Sequence, residues 1–152
     1  MRKTLILGIG NNLLSDEGVG VHVAWYLQEN HPDTPGVTFL DGGTLSFTLA
    51  EPIAGHDNLI VVDAARLGEP AGTVRCLEGE DMDRYLTGNR HSVHEVSLTD
   101  LLDIARLSGT FPEHRALIGV EPASLDWGDR PIATFAATIV PVAQMALALA
   151  AR

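Results

Sequence analysis

Short apolar runs alternate with longer helical patterns along the whole chain, with no repeat or low-complexity linker between them. Strands joined by crossover helices produce that alternation, and they build a largely parallel sheet covered on both faces. Thr4–Ile9 is continuously apolar, as expected of a central parallel strand buried on both sides. Residues 17–30 follow as a helix with Val19, Val23 and Leu27 on one face, and His31-Pro32 stops it. Val37–Leu40 is a second strand, closed by Asp41-Gly42-Gly43, and residues 46–54 form a short helix bent or restarted at Pro52. Asn58–Val62 is a third strand ending at Asp63. The loop after it is too short to hold a crossover helix, so Thr73–Leu77 is expected as an antiparallel edge strand. A helical turn over 80–87, a helix over Leu98–Leu107, a strand over Ala116–Val120 and a final helix over 132–151 complete the pattern. With right-handed crossovers the strands fall in the spatial order 2-1-3-5-4. The prediction is a three-layer α/β fold: one domain over 1–152, with a twisted, mainly parallel five-stranded sheet, helices on both faces and one antiparallel edge.

Composition removes several classes of function. Apolar residues make up 45% and charged residues 20%, a globular balance. The net charge of −10, with no cluster of Lys or Arg, argues against nucleic acid and against an anionic membrane surface as partners. The run Leu5–Leu7 is too short for a signal core, and the apolar stretch Ala133–Ala151 contains Pro141 and Gln144, so it reads as a core-facing helix rather than a membrane insertion. One cysteine, Cys76, allows neither an internal disulfide nor a multi-thiolate metal site. This suits a cytoplasmic setting, and within the edge strand Cys76 reads as a buried structural thiol.

In open parallel sheets, ligands bind beyond the carboxyl ends of the strands. Three strands end there in unusual sequence: Gly8-Ile9-Gly10-Asn11-Asn12, Asp41-Gly42-Gly43, and Asp63. The first lacks the third glycine of a dinucleotide fingerprint, having Leu13 in its place. It runs on to Asp16 and Glu17, whose charges would repel a pyrophosphate, so a nucleotide is not expected; no haem is expected either. Asp16 and Glu17 also suit a helix N-terminus in their own right. Asp63 follows Leu59-Ile60-Val61-Val62, and a carboxylate at the tip of a buried strand needs a partner, a hydrogen-bond network or a metal. Asp41 is similar, although the following glycine amides could satisfy it. His22, His31, His56 and His114 lie in a helix or beside turns and read as surface or structural, whereas His94 sits in a loop-like stretch before a helix. If Glu17, Asp63 and His94 meet, two carboxylates and an imidazole make a three-ligand site with open positions, suited to nickel or zinc. No Gly-x-Ser-x-Gly elbow and no His-Glu-x-x-His motif is present.

The segment Gly8 to Gly20, with Asp41-Gly42-Gly43-Thr44, Val61-Val62-Asp63-Ala64, Ser92-Val93-His94-Glu95 and Leu117-Ile118-Gly119-Val120-Glu121-Pro122, closely resembles the nickel–iron hydrogenase maturation proteases in order and spacing. One local difference is Val93, where many members have a proline. The resemblance covers essentially the whole chain. It implies an aspartyl-type endopeptidase that removes the C-terminal tail from the precursor of the hydrogenase large subunit after nickel insertion. It also implies that Glu17, Asp63 and His94 contact the metal, with nickel supplied by the substrate, and that Asp41, Gly42 and Gly43 read the substrate. Asp16 and Asp63 are the candidate catalytic carboxylates. A hydrolase acting on another peptide and a non-enzymatic, metallochaperone-like binder of a metallated protein are the alternatives.

Overall fold

The computed structural model describes residues 2–10, 18–88, 97–122 and 136–152. Along them run β1 (Thr4–Ile9), α1 (Val19–Asn30), β2 (Val37–Gly43), a 3-10 turn (Phe47–Leu49) leading into α2 (Ala50–Ala54), β3 (Asn58–Ala64), β4 (Val74–Glu78), α3 (Glu80–Gly88), α4 (Leu98–Ser108), β5 (His114–Val120) and α5 (Ile139–Ala150). The sheet order is β2-β1-β3-β5-β4, as expected from the sequence. β1 pairs parallel with β2 and β3, β3 pairs parallel with β5, and β4 alone is antiparallel.

Strand alternation divides the core into two layers. Leu5, Leu7, Leu59, Val61 and Leu117 face α2, α3 and α4, where they pack on Ile53, Met82, Leu101 and Leu102. Ile6, Ile60, Val62, Ile118 and Val120 face α1 and α5, where they pack on Val19, Val23, Leu27, Val142 and Ala146. The central strands therefore need apolar residues on both faces, which is why they read as unbroken apolar runs.

α1 is seated on the sheet through glycines. A Cβ on Gly8 would run into the carbonyl oxygen of Gly20, and one on Gly20 would run into the carbonyl oxygens of Val62 and Ile9. The first turn of α1 thus rests directly on the carboxyl ends of β1 and β3. On the other face, Arg115 of β5 forms a two-pronged pair with Asp83 of α3, with Nε to Oδ1 at 2.9 Å and an Nη to Oδ2 at 2.6 Å. Arg106 of α4 reaches the same carboxylate at 3.6 Å, and both guanidinium groups lie over the Phe111 ring. The Arg115 hydrogen bonds are the main reason that the Asp83 carboxyl titrates below its ordinary range. This cluster fixes α3 and α4 against the sheet.

Several boundaries differ from expectation. β2 continues through Asp41-Gly42-Gly43 instead of stopping before it, because those residues still pair with Gly8 and Ile9 across a bulge. The segment at 80 is a two-turn helix rather than a single turn. Cys76 is exposed, not buried: β4 has one neighbour and little cover, and three of its five residues are exposed. Partial burial, and then the Glu78 charge, push its thiol pKa up, so it is not an activated nucleophile. Among the described residues, no helix is long and apolar enough to cross a membrane.

Candidate active site at the carboxyl edge of the sheet

Parallel pairing brings the ends of β1, β2 and β3 to one edge, as the position of their unusual sequences requires. Each residue of the Asp41-Gly42-Gly43 motif has a distinct physical task there. Asp41 Oδ1 accepts the Gly43 N–H at 2.9 Å, and its Oδ2 accepts the indole N–H of Trp25 at 2.7 Å. At Gly42 a Cβ would lie 2.7 Å from Leu7 Cδ1, so a side chain there requires the Leu7 methyl group to shift. Gly43 has φ +54° and accepts the Gly10 N–H at 2.9 Å, which closes the bulge. Trp25, on α1, was not singled out in the sequence, where nothing distinguishes it from a surface aromatic.

Asp63 is half-buried near the carboxyl end of β3. By alternation it belongs to the Leu59/Val61 face, under α3, whereas Asp41 belongs to the Val37/Phe39 face, under α1. The two carboxylates share an edge of the sheet but not a face. On the Asp63 side stands Tyr85 of α3, whose phenol pKa is raised first by burial and then by the Asp63 charge. Tyr85 is therefore a neutral O–H donor at physiological pH. It lines an open groove of about 510 Å³, together with Arg66, Leu67, Leu77 and Asp81. A more enclosed cavity of about 300 Å³ lies at the opposite edge, among Arg2, Asn58 and Arg152. The carboxyl edge remains the functional candidate because the strand-end carboxylates are there.

Glu121 follows β5 at the same edge and is only 7% exposed. Its Oε1 accepts the N–H groups of Leu67 at 2.7 Å and Glu69 at 3.0 Å. These amides hold its carboxyl below the ordinary range. Its role is to clamp the β3–β4 loop beside Asp63. Because the folded-state pKa is depressed, Glu121 contributes stability above the ordinary glutamate pKa of about 4.3, and this is lost as pH falls through the folded value. Glu121→Gln is expected to lower the urea midpoint at pH 7 and to flatten its acid dependence below about pH 4.5; an unchanged acid slope would contradict the clamp.

Asp16, Glu17 and His94 lie outside the described residues. Among the residues described, no cluster of three or more metal-ligating side chains occurs. The described neighbours of His94's segment are well anchored. Ser97 caps α4 in a reciprocal box, its Oγ accepting the Asp100 N–H at 3.1 Å and its own N–H donating to Asp100 Oδ2 at 2.9 Å.

An open, mainly parallel α/β domain with carboxylates at its strand ends defines the class to which the chain belongs. Residues 21–148 match the family model described as hydrogenase maturation protease. The chain is 36% identical to the hydrogenase 2 maturation protease of Escherichia coli over 147 residues, 96% of this chain and 89% of that one. It is also 36% identical to the hydrogenase expression/formation protein HupD of Thiocapsa roseopersicina, over 95% of this chain and 66% of that one. Among solved structures, the hydrogenase maturating endopeptidase HybD from Escherichia coli superposes with a TM-score of 0.86 at 35% identity, covering 96% of this chain and 90% of that one. The NiFe hydrogenase maturation protease HycI from Thermococcus kodakarensis gives 0.79 at 25% identity, covering 99% and 94%. The chain belongs to the hydrogenase maturation protease family and is a hydrolase of that kind.

Proposed function

We propose that the protein is an endopeptidase that removes the C-terminal tail from the nickel-loaded precursor of a NiFe hydrogenase large subunit. The nickel arrives as part of the substrate and is the feature recognised, through Glu17, Asp63 and His94. The observation that carries this reading is the contact of Gly20 with Val62, which sets the start of α1 against the tip of β3. Glu17 stands three residues before Gly20 in the sequence, and Asp63 follows Val62 directly. A metallated precursor then meets two carboxylates and an imidazole, ligands suited to a borderline divalent ion. An unmetallated precursor lacks that handle.

Hydrolysis adds water across the scissile amide. Asp63 or Asp16, as a carboxylate, accepts the proton of the attacking water, and the departing amine takes a proton in turn. We place the reaction in the cytoplasm, where a lone exposed thiol such as Cys76 stays reduced. Incubating the protein with nickel-loaded and nickel-free precursor, and reading the tail by mass spectrometry, tests the reading. Cleavage of the loaded form alone is expected. Equal cleavage of both forms removes the nickel check, and binding without cleavage makes the protein a holder of metallated protein.

Asp41, Gly42 and Gly43 form the substrate-reading element. Asp41→Asn keeps the size of the side chain and one of its two acceptor oxygens while removing the charge, so it is expected to alter precursor processing more than the fold. Normal cleavage of every precursor by this variant would remove the reading role.

A further inference from the structure

We propose that Asp41 and Trp25 together form a subsite for a cationic side chain, lysine or arginine, of the precursor; this rests on the processing function proposed above. The Asp41 carboxylate is half-buried and held by two neutral donors, the Gly43 amide and the Trp25 indole. Among the described residues, none of the ion pairs includes Asp41. The chain as a whole is acidic, with a net charge of −10. Two neutral hydrogen bonds fix the carboxylate's direction, no described cation pairs with it, and each oxygen keeps acceptor capacity. Trp25 is 40% exposed and spends its only polar group on Asp41. His22, one turn earlier on α1, packs edge-on against the indole with ring centroids 5.1 Å apart. The indole is thereby held beside the carboxylate with part of its surface open.

A fixed carboxylate next to an indole matches an ammonium or guanidinium group. The carboxylate supplies a charge-assisted hydrogen bond, and the ring supplies cation–π attraction. An acidic group would be repelled, and an apolar one would strand the charge. The subsite lies on the α1 face of the sheet, whereas Asp63 and Tyr85 lie on the α3 face. The cation read here therefore belongs to a part of the precursor that passes over the β2–α1 rim.

The test follows the Trp25 indole N–H resonance in nitrogen-15-labelled protein during titration with N-acetyl-arginine amide, N-acetyl-lysine amide and the uncharged N-acetyl-norleucine amide. The two cations are expected to shift it saturably, norleucine amide to leave it in place, and Asp41→Asn to abolish the response. No response to either cation, or an equal response to norleucine amide, overturns the subsite. A kinetic cycle on nickel-loaded precursor adds a second readout. Trp25→Phe and Asp41→Asn are each expected to lower kcat/KM about tenfold, and the double variant to lose no more than either single one. Losses that multiply would overturn the pairing. If the titration succeeds but nickel-free precursor is cleaved equally well, the nickel-check reading fails and the cation subsite stands. If nickel-dependent cleavage is intact but the titration fails, only the subsite falls.

Discussion

Replacing Gly20 by alanine is expected to remove at least about 3 kcal/mol of stability, at the upper end of overpacking costs and a large share of the roughly 5–15 kcal/mol typical of a domain. The added methyl group meets the carbonyl oxygens of Val62 and Ile9, which are main-chain atoms inside the sheet and cannot rotate away. Relief requires α1 to lift, and lifting it opens the layer in which Val19, Val23 and Leu27 pack on Ile6, Ile60 and Val62. Gly8→Ala attacks the same contact from the strand side, because its methyl group meets the Gly20 carbonyl oxygen. Gly88→Ala is the control: nothing lies within 4 Å of its Cβ position, so its effect should stay below about 1 kcal/mol. Urea midpoints of the three variants decide the matter. If Gly20→Ala melted like the native protein, α1 would not be seated through this glycine. Because the start of α1 rests on the tip of β3, any Gly20→Ala protein that remains folded should also process precursor poorly.

The same contact shows why so much of the fold was legible in the sequence. Central parallel strands buried on both faces must be apolar without interruption, so β1 and β3 were evident as runs. The short loop after β3 left β4 no position except an antiparallel edge. The misreadings fell where local sequence and tertiary context disagree. Asp41-Gly42-Gly43 has the composition of a turn, yet it stays in β2 because a bulge and a positive φ at Gly43 let it continue pairing. Cys76 is apolar enough for a core, but an edge strand with little cover leaves it exposed.

The candidate site was legible only in part. Strand-end carboxylates stand out because a charge after an apolar run is costly unless something satisfies it. Their partners carry no such mark. Trp25 is one aromatic on a helix, and only folding brings its N–H to Asp41. Tyr85 comes within electrostatic reach of Asp63 on a helix that the Arg115–Asp83 pair, between residues distant in the chain, holds to the sheet. Glu121 fell within a matched motif, but its work of holding the Leu67 and Glu69 amides depends on the path of a loop that starts beyond another strand. The division of Asp41 and Asp63 between opposite faces follows from strand register, which composition does not reveal.

The largest functional effects are expected from Asp63→Asn and His94→Ala, each of which should reduce tail cleavage at least about hundredfold: in the proposed reading each removes a contact to the metal, and even outer partners of metal ligands are worth about 10–100-fold. Asn retains the shape of Asp63 and its capacity to accept hydrogen bonds at the end of β3, so the Leu59–Val62 core beneath it is undisturbed. Only the charge and the basicity are lost, and the proposed chemistry needs both. The proposed role of His94 rests on its imidazole alone, and His94→Ala is expected to unfold at nearly the native temperature. In the native protein, capture of nickel-loaded precursor should weaken at acid pH, because only the neutral imidazole ligates and protonation removes it. The His94→Ala protein should lose that acid dependence together with its activity. Mass spectrometry of the precursor tail, with thermal unfolding of each variant in parallel, separates loss of function from loss of fold. Full cleavage by His94→Ala would remove His94 from the metal contact and with it the three-residue reading of the site.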